Sequence, residues 1–393
     1  MNDPSRTGIV RLEDLPKDEI FIKLKPRFHK LLNSRIRSYG ISKFEKRMNS
    51  GRKIGHWLQD NHLIRFDVLC KILNYFNLDY KNKIEFIRGE SRLKIINPKS
   101  SFDFTSCEGV RVISGILGDG GIPTNRSNPY YTNTNKDLIN GFLNDIKFVF
   151  GNIEFNEHYV YKKNSITTIL GFPALIQKVF LMIGLKKGKK IETNQGMPFF
   201  IFNLDDDRKY AFISQFIDDE GSINLISKHV SITAGCLKYY KFPRILKDIQ
   251  RLLLSLHIDS GFYYAKLSKL SGNKIFRLQI NGQFQIKKLN ENLNLRILKK
   301  KNNLVILSKS FKRRVFRRKE YLPVYMGFMR KIQELNGHFT SLSLSYESGM
   351  VVGSCRNLII RFRDLNLIKC IKPYSSGNYH EYARYVTNTK WKP

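Results

Sequence analysis

Two stretches of this chain repeat one pattern about a small domain apart. Residues 112–122 (VISGILGDGGI) and 212–223 (FISQFIDDEGSI) are each an apolar run that ends in a carboxylate, a glycine and then an isoleucine. Ser114 and Gly118 lie four residues apart, so a helix that carries them can approach a second helix closely along that seam. The glycine after each acid lets the chain turn away. The pattern predicts two similar units that meet along a pair of helices.

The acids that end the two stretches are Asp119 and Glu220. Helices packed side by side would bring these carboxylates close together, where they repel and shift each other's pKa unless divalent cations lie between them. A pair of acids that holds Mg²⁺ or Mn²⁺ on a basic protein is the usual equipment for phosphodiester hydrolysis. We therefore predict that Asp119 and Glu220 are both catalytic residues and metal ligands.

The overall charge indicates a polyanionic partner. The chain has 68 lysines and arginines against 33 acids, a formal net charge of +35. Such an excess attracts nucleic acid in particular, and a membrane surface is the less favoured alternative. The five cysteines are scattered without a CxxC pair, which argues against a zinc site or a disulfide framework. With no long apolar run, we expect a cytoplasmic, nucleoid-associated protein without a membrane partner.

The N-terminal third divides into three parts by pattern. Residues 1–25 are polar and irregular, and we expect a flexible arm. Apolar residues recur at helical spacing over 26–90, with glycine-containing turns, as in a helix-turn-helix-like domain. Arg52 and Lys53 would then lie on or near the recognition helix. Residues 80–104 are basic, contain a proline, and are predicted to be a linker.

Two longer segments, 105–195 and 200–308, show one succession of elements: helix, two strands, helix, two strands, helix. Their strand regions mix β-formers with Asn, Thr, Tyr and basic residues, which suits strands lying in a DNA groove. The basic residues that we expect to bind nucleic acid in and after these segments are Arg126, Lys162, Lys163, Lys274, Arg277, Lys299 and Lys301.

The paired helices and this succession resemble the LAGLIDADG homing endonucleases, in the single-chain form with two repeats, over roughly residues 107–305. TNKD at 134–137 and GLKKGKK at 184–190 are further local matches. The resemblance implies an α+β fold of two pseudo-symmetric αββαββα repeats, flanked here by small helical DNA-binding domains. It also implies an intron-associated enzyme that cuts both DNA strands and leaves 3′ overhangs, with Asp119 and Glu220 as the metal-binding acids.

Family members also carry a basic residue near the metals and a polar amide that helps to place water. The resemblance assigns the first role to Lys189, with Lys299 or Lys301 as counterparts in the second repeat. It assigns the second role to Asn135, for which a helix N-cap is an equal alternative.

The chain departs from the family pattern at the second helix. Gln215 stands where the family usually has a glycine on the packing seam, which predicts a looser or tilted helix pair. Asp218 and Asp219 precede Glu220, which leaves open by one position which carboxylate of this helix reaches the metal. We expect Asp218 and Asp219 to face solvent or to contact the metal ligand without binding the metal themselves.

The C-terminal region begins with a cationic run at 311–320, FKRRVFRRKE, in which Arg313 and Arg314 are candidate phosphate contacts. Residues 320–393 are predicted to form helices followed by a strand pair, as in a winged helix-turn-helix-like domain.

Three functions compete on these residues. The first is a site-specific, metal-dependent double-strand DNA endonuclease that acts as a monomer. The second is a non-catalytic DNA-binding transcriptional regulator on the same scaffold, which the terminal domains favour. The third is an RNA-splicing maturase, with structured RNA as its partner. The chain begins at Met1 without a nucleophile and ends in TNTKWKP without a His-Asn pair, so we expect no intein splicing.

Overall fold

The computed structural model describes residues 3–49, 53–60, 62–125, 128–162, 165–268, 271–311, 321–372 and 383–387. Its architecture is α+β, as the sequence predicts, with helices packed on antiparallel sheets. One continuous hydrophobic core extends from Val10 to Leu307, and a second core lies in the C-terminal region.

The N-terminal region combines helices with short strands. These elements are α1 (Pro4–Thr7), β1 (Ile9–Arg11), β2 (Phe21–Leu24), α2 (Pro26–Tyr39), α3 (Ile41–Met48), α4 (Lys53–Asp60), β3 (Ile64–Arg65), α5 (Phe66–Tyr75), β4 (Ile84–Arg88), β5 (Ile95–Ile96) and β6 (Ser101–Asp103). The helix-turn-helix interpretation of 26–90 stays a prediction.

The expected flexible arm at 1–25 is wrong for the residues that the structure describes there. Strand β1 pairs with β6, and β2 lies between β3 and β4 in a five-stranded sheet. Val10, Ile22 and Leu24 are fully buried or nearly so. The segment is ordered because its apolar residues alternate with polar ones, and alternation buries one face of a strand.

The expected linker at 80–104 is also wrong. It contributes β4, β5 and β6, and Ile95 of β5 pairs with Ile153 in the first repeat. The N-terminal region therefore shares its sheet and its core with the first repeat.

The first repeat has the predicted order of elements with one extra short strand. It consists of α6 (Cys107–Leu117), β7 (Gly120–Gly121), β8 (Tyr130–Asn133), α7 (Lys136–Phe150), β9 (Asn152–Ile153), β10 (Asn156–Lys162), β11 (Ser165–Gly171) and α8 (Ala174–Met182). Its four-stranded sheet has the order β10-β11-β8-β7.

The second repeat follows a short connecting helix, α9 (Lys190–Thr193). It consists of α10 (Asp206–Glu220), β12 (Gly221–Asn224), β13 (His229–Cys236), α11 (Arg244–Ser255), β14 (Gly261–Leu267), β15 (Lys274–Asn281) and α12 (Gln283–Asn292). Its sheet order, β14-β15-β13-β12, reproduces that of the first repeat strand for strand. A further helix that the sequence did not predict, α13 (Leu298–Lys309), follows and buries Leu304 and Leu307.

The C-terminal region contains α14 (Tyr321–Asn336), α15 (Ser341–Ser348), α16 (Val352–Asp364), β16 (Ile368–Lys372) and β17 (Arg384–Thr387). The strands pair in antiparallel fashion, and Phe339 forms a bridge to Tyr385. Within the described ranges, no helix is both long and apolar enough to cross a bilayer.

Candidate active site between the two repeats

The site is built on α6 and α10, which pack against each other along their length. Each helix begins at a capping side chain: Ser106 accepts from the Gly109 N–H at 3.0 Å, and Asp205 accepts from the Arg208 N–H at 3.1 Å. Midway along the pair, the Ser114 hydroxyl donates to the Phe212 carbonyl at 2.8 Å. This hydrogen bond joins the two repeats a short distance before the ends of both helices.

Asp119 and Glu220 lie at these two ends. The Asp119 carboxylate accepts from the Asn133 side chain at 2.7 Å. Burial raises the pKa of Asp119. Glu220 keeps an exposed surface, but partial desolvation by the surrounding protein, and then the charge of Asp119, raise its pKa. The structure thus brings the two predicted acids close enough to interact, one from each repeat.

A lysine covers the end of each helix. The Lys190 ammonium donates to the Leu117 carbonyl at 3.0 Å and to the Gly118 carbonyl. The Lys300 ammonium donates to the carbonyls of Ile217 at 2.8 Å and Asp218 at 2.7 Å. A positive charge at a helix C-terminus is favourable because the last carbonyls lack partners within the helix.

The pKa of both lysines is lowered, first by burial, while nearby carboxylates oppose the shift. For Lys190 those carboxylates are Glu220, Asp119 and Asp219. Each helix end therefore combines a lysine with carboxylates, one acid at the end of α6 and three at the end of α10.

The lysines proposed from the sequence are the chain neighbours of Lys190 and Lys300. Lys189 is exposed and pairs with Glu192 at 2.9 Å, so the geometry does not support it as the residue beside the acids. Lys299 and Lys301 are exposed on α13 and flank the inward-pointing Lys300. Neighbouring residues of a helix point about 100° apart, so a shift of one position decides which lysine reaches the site.

Asn135 is the N-cap of α7, which was the alternative to a role in placing water. Its side-chain oxygen accepts from the N–H groups of Asp137 at 2.9 Å and Leu138 at 3.2 Å, and so it caps α7. The amide that contacts Asp119 is Asn133 instead. The alternation of β8 could have indicated this, because Tyr131 and Asn133 are two residues apart on the strand that follows the acid.

Asp218 and Asp219 do not face solvent. Asp218 is buried and accepts from the backbone N–H groups of Arg296 at 2.7 Å and Ile297 at 3.3 Å. Asp219 accepts from the Tyr131 hydroxyl at 2.7 Å. Burial, and then the charge of Asp119, raise the pKa of Asp219 well above its usual range.

Gln215 fills the seam with a side chain that bridges the repeats. It is buried, and its amide nitrogen donates to both oxygens of Asp219 at 3.1 Å. Its oxygen accepts from Arg296 at 3.0 Å, and Arg296 donates to Asp145 of the first repeat at 2.7 Å. This polar network connects the two helices through the Gln215 side chain.

Close approach is provided instead by Gly118. A Cβ atom there would lie 2.6 Å from an Asp219 oxygen, far inside contact distance, so the carboxylate can pack against the end of α6 only because position 118 lacks a side chain.

The nucleic-acid contacts predicted from the sequence are only partly described. Lys162 on β10 and Arg277 on β15 are exposed, whereas Lys274 is partly buried and donates to the Tyr240 carbonyl at 3.2 Å. Lys53 begins α4, but its side chain is not among those described. The remaining candidates lie outside the described residues: Arg52, Arg126, Lys163, Arg313 and Arg314.

Asp119 and Glu220 are suitable ligands for Mg²⁺ or Mn²⁺ if further ligands come from the nucleic acid or from water. Among the residues that the structure describes, no group of three or more His, Cys, Asp or Glu side chains is arranged to hold a metal ion. Asp119 and Glu220 supply two carboxylates. Magnesium is commonly held by one or two protein carboxylates together with phosphate oxygens, so the pair suits a metal that binds with a nucleic acid.

This is a two-repeat α+β protein with a carboxylate site at the interface of the repeats. The two sheets have the same strand order, and Asp119 and Glu220 each come from one repeat. Residues 207–294 match the family model of the LAGLIDADG-like domain. The second repeat therefore carries a LAGLIDADG-like domain.

The similar proteins cover different shares of the chain. A glutamine–fructose-6-phosphate aminotransferase (isomerizing) of Methanocaldococcus jannaschii is 25% identical over 226 residues, which are 55% of this chain and 18% of that protein. The chain thus spans less than a fifth of that relative. Mesophilic variants of the homing endonuclease I-DmoI align with 19% identity and a TM-score of 0.35, over 49% of this chain and 97% of that chain. Full-length DUF199/WhiA from Thermatoga maritima aligns with 10% identity and a TM-score of 0.34, over 66% and 92%.

Proposed function

We propose that this protein is a site-specific, metal-dependent endonuclease that cuts both strands of DNA and leaves 3′ overhangs. The observation that carries the proposal is the pseudo-symmetric end of the helix pair, where each repeat contributes one acid, Asp119 or Glu220, and each helix end has its own lysine. One such half-site per repeat matches one phosphodiester per strand.

Double-stranded DNA is the partner that suits the surface. The outer strands of the two sheets expose aromatic side chains in equivalent places, Tyr159 and Tyr161 on β10, and Tyr263 and Tyr264 on β14. Exposed arginine and lysine side chains accompany them, and the net charge of +35 favours a phosphate backbone.

In the proposed reaction Asp119 and Glu220 would hold Mg²⁺ or Mn²⁺. A bound divalent ion supplies an activated water and neutralises charge on a phosphate. The ammonium groups of Lys190 and Lys300 place further positive charge beside each acid, where negative charge develops as the phosphodiester is cut. Asn133 orients Asp119 through its hydrogen bond of 2.7 Å.

Cleavage tests the proposal more directly than binding. The protein is incubated with a randomised double-stranded DNA library in Mg²⁺ and separately in Ca²⁺, and the DNA ends are sequenced. We expect discrete ends with 3′ overhangs in Mg²⁺, lost in the double variant Asp119→Asn, Glu220→Gln. Asp137→Asn, in the first turn of α7, removes an exposed acid as the matched control.

A non-catalytic DNA-binding regulator is the second candidate. The helices α14, α15 and α16 and the β16–β17 hairpin have their own hydrophobic core, apart from the two repeats, which favours a separate binding unit. Enrichment of one bound sequence without ends in either metal would contradict the endonuclease and support the regulator. Failure to enrich any duplex would direct the search to structured RNA.

A further inference from the structure

We infer that α16 is a second DNA-reading surface, held at a fixed offset from the repeat interface by the buried side chain of Lys228. The inference rests on the proposed function insofar as it takes duplex DNA as the partner of the repeats. It adds a base-reading helix and a rigid connection that the proposed cleavage site does not require.

One face of α16 is free of the core and carries base-reading side chains. Ser354, Asn357 and Arg361 are exposed and lie three and four residues apart, so they form one stripe along the helix. The opposite face buries Cys355 and Phe362 in the second core. Amide and guanidinium groups are the side chains that form paired hydrogen bonds with adenine and guanine in the major groove.

The elements around α16 support a DNA partner. Helix α15 precedes α16 after a short turn in which Gly349 ends α15 with a φ of 75°, and the two helices pack together. The β16–β17 hairpin follows and exposes Lys369, Lys372 and Arg384. A helix pair that presents its second helix, beside a basic hairpin, matches the geometry of base reading with flanking phosphate contacts.

Lys228 connects this unit to the second repeat. It lies in the turn between β12 and β13, with a φ of 50° that is uncommon for a residue with a side chain. Only 4% of the residue is exposed. Its ammonium donates to the Ser310 carbonyl at 3.2 Å and to the Gly349 carbonyl at 3.1 Å, and lies 5.7 Å from the centre of the Phe311 ring.

This connection fixes the position of α16. A buried ammonium is stable only while its hydrogen-bond acceptors stay in place. Moving the C-terminal helices away from the β12–β13 turn would take the Gly349 carbonyl from Lys228, at a cost in free energy. Gly349 lies at the start of the turn into α16, hence the connection acts directly on that helix. The bases that α16 reads should therefore lie at one distance and one angular position from the cleavage site.

The first test is hydroxyl-radical footprinting in Ca²⁺, on the tightest-binding duplex from the randomised library. We expect protection at the centre and on one flank. In the double variant Asn357→Ala, Arg361→Ala, the flanking DNA should no longer be protected. This variant should also bind the duplex about ten-fold or more weakly. Arg363→Ala removes one charge from a different face of α16 and should keep the flank and its base preference. Unchanged flank protection in the double variant would overturn the inference.

The second test is the spacing between centre and flank. An insertion of about five base pairs turns the flank to the opposite side of the duplex. Wild-type protein should lose flank protection on this DNA, while Lys228→Met, which keeps the side chain's bulk but removes its donors, should recover it. Equal tolerance in wild type and variant would sink the rigid connection. Footprinting in Ca²⁺ measures binding alone. Both tests of α16 can therefore be interpreted even if the protein does not cleave DNA.

Discussion

At the scale of single residues, Lys190 and Lys300 each combine two tasks. Each ammonium binds carbonyls that the end of a helix leaves without partners, and each stands beside the carboxylates of the site. A lysine that serves only as a cap would not need carboxylates nearby, and one that serves only as a surface charge would not be buried. The combination distinguishes Lys190 and Lys300 from the other lysines that the structure describes.

We predict that Lys190→Met and Lys300→Met each reduce the cleavage rate by about a hundred-fold or more, with a much smaller change in DNA affinity. Each substitution removes a positive charge that would lie beside the reacting phosphate. Lys189→Met is the matched control, since Lys189 pairs with Glu192 at the surface. Single-turnover cleavage and filter binding measure the two effects. A loss in the Lys189 variant as large as in Lys190→Met would contradict the assignment.

We predict that Asp219→Asn stabilises the metal-free protein near neutral pH. The folded pKa of Asp219 is raised, so its ionised form is less stable in the folded than in the unfolded protein. Its removal should raise the melting temperature by about 1 °C, as about 1 kcal/mol would in a chain of this size. The advantage should disappear as the pH falls through the folded pKa, because wild-type Asp219 is then protonated. Calorimetry at several pH values in EDTA measures this, and an advantage that grows at low pH would contradict it.

At the scale of elements, the α6–α10 interface determines the site, since both acids lie at the ends of these helices. Ser114 is fully buried there, and its hydrogen bond to Phe212 crosses between the repeats. The interface therefore depends on the size as well as the polarity of this side chain.

We predict that Ser114→Ala costs about 1 kcal/mol of the free energy of unfolding, the value of one buried hydrogen bond. Ser114→Leu should cost about 1–3 kcal/mol through overpacking, and should also slow cleavage by separating the helix ends. Ser165→Ala, at an exposed position on β11, is the control. Urea unfolding measures the energies. A Leu variant with wild-type stability would show that the helices pack less closely than described.

At the scale of the whole molecule, the two ends of the chain are attached differently. Strand β2 is an interior strand of the five-stranded sheet, and Ile20, Ile22 and Leu24 belong to the main core. Described residues between Tyr325 and Tyr385 form a separate core. The N-terminal segment shares the hydrophobic core of the repeats, whereas the C-terminal helices have a core of their own.

We predict that deletion of residues 1–24 abolishes cooperative unfolding of the repeats, because it removes an interior strand and core side chains. Deletion of residues 321–393 should leave a cooperative transition, since the main core stays intact. Circular dichroism melts compare the two truncations. Cooperative melting after the N-terminal deletion would contradict the shared core.

The chain's local pattern determined much of this protein by itself. The two apolar runs that end in an acid and a glycine predicted the helix pair, Asp119 and Glu220, because helical spacing and chain reversal are local properties. The three helices and the strand pair of the C-terminal region were likewise predicted, since apolar periodicity and glycine stops mark them.

Only the tertiary structure decided which neighbours of these motifs matter. The sequence predicts Lys189 and Asn135 beside the acids, whereas the structure has Lys190 and Asn133 there. It also predicts an arm over residues 1–25, where the structure has strands β1 and β2. A run of similar lysines or amides carries no signal for the direction of each side chain, which depends on where an element begins. A short strand such as β1 is stable only when a partner distant in sequence, here β6, supplies its hydrogen bonds. Local sequence therefore determined the two helices and their acids, and long-range packing selected the residues that surround them.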